Sequence, residues 1–241
     1  MILGPELKME IKKENILLPL IFLVAFIFRL FFVLKIPFFS SDNAYFNLRH
    51  SEYIVSNYLP IVYDGLSYGG NIITSTHLFH YFLAAFDLVL NQTLVYKIIP
   101  ALLASSLVFI VYILAKEITK NNDAALFSAL LSAFIPAFIG ETLNQISINS
   151  LYIPLFLLLI YAILNLRKRR VLFIICSLAL VLLEPLNLLI AGTLIIFILL
   201  MVAESLLITK EDKEGVALYL ILFVLVNLIF FKNLYFEQGI W

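Results

Sequence analysis

Few side chains in this sequence could do chemistry, and most of them stand at the edges of apolar runs. Asp42 ends the stretch Phe38-Phe39-Ser40-Ser41-Asp42. A carboxylate placed there can take a proton from a bound acceptor or ligate a cation. Tyr45 and Arg49 follow on one face of a helix that can start near Asn43, with Ser41 or Asp42 as its N-cap. Asp42 is therefore either that cap or a functional acid. Glu141, in Gly140-Glu141-Thr142-Leu143-Asn144, is a second carboxylate or a plain loop residue. Glu184 either nears the same cavity or caps the turn before Pro185. Arg29 lies inside an apolar run, where a charge costs roughly 2.5–3.5 kcal/mol and marks function by default. The alternative for Arg29 is snorkelling to the interface. His77 and His80, three residues apart, are metal ligands or the wet stripe of an interfacial helix.

The elements that must position these groups are membrane helices. Of 241 residues, 63% are hydrophobic and 13% charged, with 16 basic and 16 acidic side chains. That balance excludes an ordinary soluble enzyme, a disordered chain and a nucleic-acid binder that relies on overall basicity. The single cysteine, Cys176, excludes an intrachain disulfide and any multi-cysteine metal site. A helix needs about 20 apolar residues to cross a bilayer. The expected fold is an all-α integral membrane domain over 1–241. Its seven spans are 16–36, 94–115, 124–140, 151–166, 171–183, 186–207 and 216–231.

The stretch 72–90 is apolar too, but His77, His80 and Asp87 share one helical face, opposite Phe79, Phe82, Leu83 and Phe86. That pattern suits a helix lying in the interface. With it lying flat, Lys8, Lys12, Lys13, Lys116, Lys120, Arg167–Arg170, Lys210 and Lys213 fall on one side. The other side keeps Lys35, Arg49, Lys97 and Lys232. The positive-inside rule then puts the N-terminus in the cytoplasm and the long loop 37–93 outside. The first span reads as an uncleaved anchor, since no small-x-small cleavage site follows it. Within the loop, Asp64-Gly65 and Gly69-Gly70 are turn dipeptides flanked by Tyr63 and Tyr68. A phosphate cradle there is a weak signal, because the Walker pattern is absent. Asn91-Gln92-Thr93 has the form of a glycosylation sequon, close to the membrane.

The stretch Asp42-Asn43-Ala44-Tyr45-Phe46-Asn47-Leu48-Arg49 follows the first span. Behind it come Tyr53, Tyr68-Gly69-Gly70 and an interfacial helix. In this it resembles the GT-C superfamily of membrane glycosyltransferases. The resemblance is to the N-terminal transmembrane half of the oligosaccharyltransferase catalytic subunit and its archaeal relatives. Lys97 before Pro100, then Lys116, Lys120, Pro136 and Glu141, follow a similar layout. Two features depart from the pattern. Glu141 stands where the family has two nearby acids, and the Trp-Trp-Asp-Tyr-Gly motif is absent. The resemblance therefore implies a minimal relative or an N-terminal piece of a longer protein.

What the resemblance implies is sugar transfer from a polyprenyl-phosphate or -pyrophosphate donor to an acceptor on the extracytoplasmic face. Asp42 and Glu141 would be the catalytic carboxylates, and Arg49, Arg29 and Lys97 the candidates for the donor phosphate. A divalent ion, Mg²⁺ or Mn²⁺, would prefer the oxygens of Asp42 and Glu141, though the reaction does not demand one. The expected partners are the lipid-linked donor and membrane lipids, with no nucleic acid. The alternatives are a non-catalytic GT-C-like subunit or fragment, and a transporter of lipid-linked sugar. The transporter would need ionisable groups deep in several spans, and Arg29 alone qualifies.

Overall fold

The computed structural model describes residues 13–66, 70–73, 77–183, 196, 217–221 and 223–225. Glu184, Tyr68-Gly69 and most of the expected sixth and seventh spans lie outside the described residues. The described chain is built almost wholly of helix. The first, α1 (Lys13–Lys35), has 23 residues. At 1.5 Å per residue it is roughly 34 Å long, enough for a hydrocarbon core of about 30 Å. Ala25, Arg29 and Val33, four apart, form its buried stripe. Ile16, Leu20, Leu23, Ile27, Phe31 and Leu34 are exposed. An apolar face that size suits lipid and would be an aggregation hazard in water.

After α1 the chain forms a polar lobe. It contains α2 (Asp42–Asn57), the strands β1 (Tyr63–Asp64) and β2 (Asn71–Ile72), and α3 (Leu78–Asp87). The strands pair antiparallel, with Tyr63 opposite Ile72 and Asp64 opposite Asn71. This short hairpin lies within the long loop of an otherwise helical chain, and the helix expected over 72–90 is Leu78–Asp87. Gly70 closes the hairpin at φ +73, where a Cβ would collide with the Tyr63 hydroxyl. Only glycine fits both constraints.

A second long helix runs from Leu94 to Thr119. It opens as a π turn (Leu94–Ile98) and continues as α4 (Ile99–Ser105) and α5 (Leu107–Thr119). At the junction the Ile99 N–H reaches back five residues to the Leu94 carbonyl. Pro100, the next residue, has no N–H to give, so the regular ladder fails here.

The span expected over 124–140 is interrupted. It is two helices, α6 (Asn122–Ala133) and α7 (Pro136–Thr142), bent by 46°. Pro136 forces the break, since the residue before a proline is driven out of the helical region. Ile135 is accordingly extended, at φ −61 and ψ 114. The next two expected spans fall on α8 (Asn149–Leu164) and α9 (Leu166–Leu183), the latter kinked at Arg169. Among the described residues two helices are long and apolar enough to cross a membrane, and a third if α6 and α7 form one span.

One core joins α3, α8 and α9 through Phe79, Leu83, Tyr152, Leu159, Phe173 and Leu180. A second joins α1, α5 and α6 through Ala25, Val108, Ala125 and Ala129. The small residues let those helix backbones approach closely. At one end of the bundle Glu117 interacts with Lys120, and also with Lys168 and Asn165 from the α8–α9 turn. Glu14, at the start of α1, pairs with Lys116 at 3.5 Å. The polar lobe is at the other end of α1.

Candidate functional site

The lobe is built from loops that zip together. Ser40 N–H donates to the Asn144 carbonyl at 3.1 Å. Asn144 Nδ2 donates to the Phe38 carbonyl at 2.7 Å, and Ser41 Oγ donates to Gln145 Oε1 at 2.9 Å. Deeper in, Asn47 Nδ2 donates to the Ile146 carbonyl at 2.7 Å. Asn144 itself sits at φ 54, a conformation asparagine tolerates better than most residues. These bonds join the segment carrying Asp42 to the turn carrying Glu141.

Ser41, not Asp42, is the N-cap of α2, and its side chain accepts from Ala44 N–H. Asp42 stands in the first helical turn with its side chain exposed. The positive end of the helix dipole favours a carboxylate there. Glu141 is also exposed, and its Oε2 accepts from Asn149 Nδ2 at 3.4 Å. Both expected carboxylates are thus exposed, Asp42 beside the 38–41 segment and Glu141 just before the 144–146 segment to which 38–41 bonds. Among the described residues no group of three His, Cys, Asp or Glu is already set to hold a cation. Two carboxylates are nonetheless enough for Mg²⁺, which usually keeps several of its waters. Tyr45 is a support: its hydroxyl accepts from Phe39 N–H at 3.1 Å, and its ring meets the Phe39 ring edge-on.

The three expected phosphate-binding cations separate. Arg49 reaches from α2 to the hairpin, where Nη2 pairs with Asp64 Oδ2 at 2.5 Å. Asp64 is buried and also accepts from Leu66 N–H at 3.0 Å. Beside this pair lies a cleft of about 600 Å³, lined by Arg49, Tyr53, Pro60, Val62, Tyr63 and Asp64. Lys97 is engaged otherwise. Its ammonium donates to the carbonyls of Val33, Ile36 and Pro37 at 3.2, 2.9 and 3.1 Å. An ammonium has three donors, so Lys97 caps the end of α1 with all of them. Arg29 does not snorkel. It is 2% exposed, donates from Nη1 to Thr142 Oγ1 at 2.7 Å, and lies 5.2 Å from the Phe138 ring centre. It ties α1 to the short helix that carries Glu141.

The histidines depart most from expectation. His80 is 1% exposed and faces α2, so the His77–His80 face is not a wet stripe. Its Nε2 meets Asn47 Oδ1 at 2.9 Å. Asn47 Nδ2 is already committed to Ile146, so Oδ1 is the acceptor and His80 Nε2 carries the proton. His50 is fully buried and packs 4.2 Å from the Phe46 ring. Burial, then the neighbouring His77 and Arg49, push His50 down to about 4 against the opposing pull of Asp64. Burial, then His50 and His77, push His80 down to about 3. Burial lowers His77 as well. All three imidazoles are therefore neutral near pH 7.

Sequence reasoning missed Asp64, Asn47 and Thr142, which partner the candidates directly. It also missed a carboxylate pair between α2 and α3. Burial and the charge of Asp87 raise the Glu52 carboxyl above its usual range, and Asp87 accepts from the Tyr96 hydroxyl at 2.9 Å. The sequence held one usable signal for these: polar residues recurring on the buried face of an otherwise amphipathic helix.

No protein-family model matches the chain, and no curated protein matches it in sequence.

Proposed function

We propose that this protein is a membrane glycosyltransferase of the GT-C type, with seven crossings and its polar lobe on the extracytoplasmic face. It transfers a sugar from a polyprenyl-phosphate or -pyrophosphate donor to an acceptor at the lobe. The observation that carries this reading is the hydrogen-bonded junction between the segment leading into Asp42 and the segment following Glu141, with both carboxylates exposed. An aromatic cleft with Arg49 at its wall opens in the same lobe and suits a sugar phosphate. Exposed apolar flanks on α1 offer a lipid-facing surface for the prenyl tail.

In this reading Asp42 removes the acceptor proton as the acceptor oxygen or nitrogen attacks the anomeric carbon. The bond from that carbon to the donor phosphate oxygen breaks, and the phosphate leaves on its lipid. Glu141 orients the acceptor or shares a Mg²⁺ or Mn²⁺ with Asp42. Such a cation, when bound, would supply positive charge to the leaving phosphate. Arg29 acts through Thr142, holding the α7 turn in place.

The test is transfer of radiolabelled hexose from a synthetic polyprenyl-phosphate donor, in membranes containing the full chain. Asp42→Asn should cut transfer by roughly 10²–10⁴-fold, the usual worth of a general base. Membrane insertion of the variant, checked by carbonate extraction, should be unchanged. Unaltered transfer by Asp42→Asn would remove Asp42 from the mechanism. Movement of the labelled donor across sealed vesicles without transfer would favour the transporter reading.

A further inference from the structure

The chain contains three histidines, and all of them meet in one cluster. His50 comes from α2, His80 from α3, and His77 from the residue that begins α3. Their ring centres are 5.7 Å (His50–His77), 5.1 Å (His50–His80) and 5.5 Å (His77–His80) apart. Four ring nitrogens in this cluster are buried without a hydrogen-bond partner: His50 Nδ1, His50 Nε2, His77 Nδ1 and His80 Nδ1. Each such group loses its bonds to water on burial and gains nothing in return when left unsatisfied. Native proteins seldom carry several together, and an ion or ordered water is the usual explanation.

We propose that His50, His77 and His80 form a binding site for one transition-metal ion, of which Zn²⁺ is the best fit. Zinc–nitrogen bonds are about 2.0–2.1 Å, and three imidazoles at near-tetrahedral angles put their ring centres roughly 5 Å apart. The observed separations match that figure. The outer support is also of the right kind. A metal-bound histidine ordinarily donates its other N–H to an acceptor, which fixes tautomer and ring direction. His80 donates Nε2–H to Asn47, and Asn47 is itself pinned by Ile146. That leaves His80 Nδ1 as a buried lone pair without a hydrogen-bond partner.

The rings as they stand do not yet form a closed metal-binding group. Closure requires rotation of His50 and His77 about the soft bond to the ring, a torsion with a broad minimum. The Arg49 guanidinium is the cation beside the site, and its pairing with Asp64 offsets the repulsion. Nitrogen ligands select Zn²⁺, Cu²⁺ or Ni²⁺ over Mg²⁺ or Ca²⁺, so this site is chemically separate from the carboxylates Asp42 and Glu141. An ion bound here would clip α2 to α3, whose lobe otherwise rests on a ten-residue helix and two-residue strands. Three protein ligands would leave a fourth position for water.

The test uses the full chain carrying a histidine-free affinity tag, purified in detergent and stripped with EDTA. Zn²⁺ alone is then added, excess is removed, and bound metal is counted by mass spectrometry. One zinc per chain is the expected result. Co²⁺ should give the intense visible absorption of a tetrahedral nitrogen site. His50→Gln, His77→Gln and His80→Gln should each weaken binding by at least tenfold, and Asn47→Ala by about tenfold. Asp42→Asn and Glu141→Gln should leave metal binding unchanged. Absence of zinc on the wild-type chain would overturn the proposal, and that result does not depend on any variant folding. Zinc retained undiminished by all three histidine variants, or lost with Asp42→Asn, would overturn it equally.

Discussion

Arg29 is the most costly side chain the described structure keeps. It is almost fully buried in a helix that otherwise reads as lipid-facing, and among the described residues no carboxylate pairs with it. Its partner, Thr142, already donates to the Phe138 carbonyl at 2.5 Å. Removing the guanidinium therefore strands no donor on Thr142. Arg29→Met keeps the volume of the side chain and discards the charge. Replacing buried charge by a packed apolar group is typically neutral or stabilising by about 1–4 kcal/mol. We expect the midpoint of thermal unfolding in detergent to hold or rise, while sugar transfer falls. A clear loss of stability would mean that the bond to Thr142 and the Phe138 contact outweigh the cost of burying the charge. The sequence marked Arg29 as exceptional from residue type alone, since a charge inside an apolar run is expensive wherever its partner lies. It could not reveal Thr142, which is 113 residues away. The histidines failed in the opposite way. A helical wheel divides α3 into two faces but does not say which one meets α2, so a buried face read as a wet one.

At the scale of elements, one proline does more than any apolar run to shape the site. Pro136 ends α6, starts α7 and turns the chain by 46°. The turn points Thr142 at Arg29 and leads into Asn144 and Gln145, which anchor the first loop. Pro136→Ala restores a backbone donor and frees Ile135 to become helical. Spin labels at Asp123 and Gly140 should report the change. A Cβ at Gly140 meets nothing within 4 Å, so a label is accommodated there. The expected outcome is a longer label-to-label distance and slower transfer, because Glu141 leaves the junction. An unchanged distance would place the origin of the bend in the tertiary bonds of Thr142. The sequence disclosed Pro136 but not the break, because apolar residues continue on both sides and hydropathy is blind to backbone direction. The β1–β2 hairpin escaped for a related reason: its turn dipeptides were plain, but two-residue strands carry no alternating pattern.

For the molecule as a whole, orientation rests on where the cations gather. Lys120 and Lys168 meet around Glu117, while its neighbour in sequence, Lys116, pairs with Glu14 at the start of α1. Four of the basic residues that the chain's charge asymmetry assigns to one side, Lys13, Lys116, Lys120 and Lys168, are on described helices or cap one. Lys97 and Arg49 lie toward the other end, where carbonyls and Asp64 hold them. Cations held by protein groups say little about topology, whereas an exposed one such as Arg169 weighs on it directly. The proposed function requires the lobe to face outward, so the topology can fail independently of the chemistry. Cys176 is buried, and its replacement by alanine gives a cysteine-free background. Single cysteines at Asn57, the exposed last residue of α2, and at Asn122, the exposed first residue of α6, then probe the two ends. A membrane-impermeant maleimide applied to intact cells should label position 57 and spare 122 until the cells are opened. The reverse pattern would put Asp42 and Glu141 in the cytoplasm. A carrier-linked donor displayed outside would then be out of reach, and the donor would have to be sought on the inner leaflet.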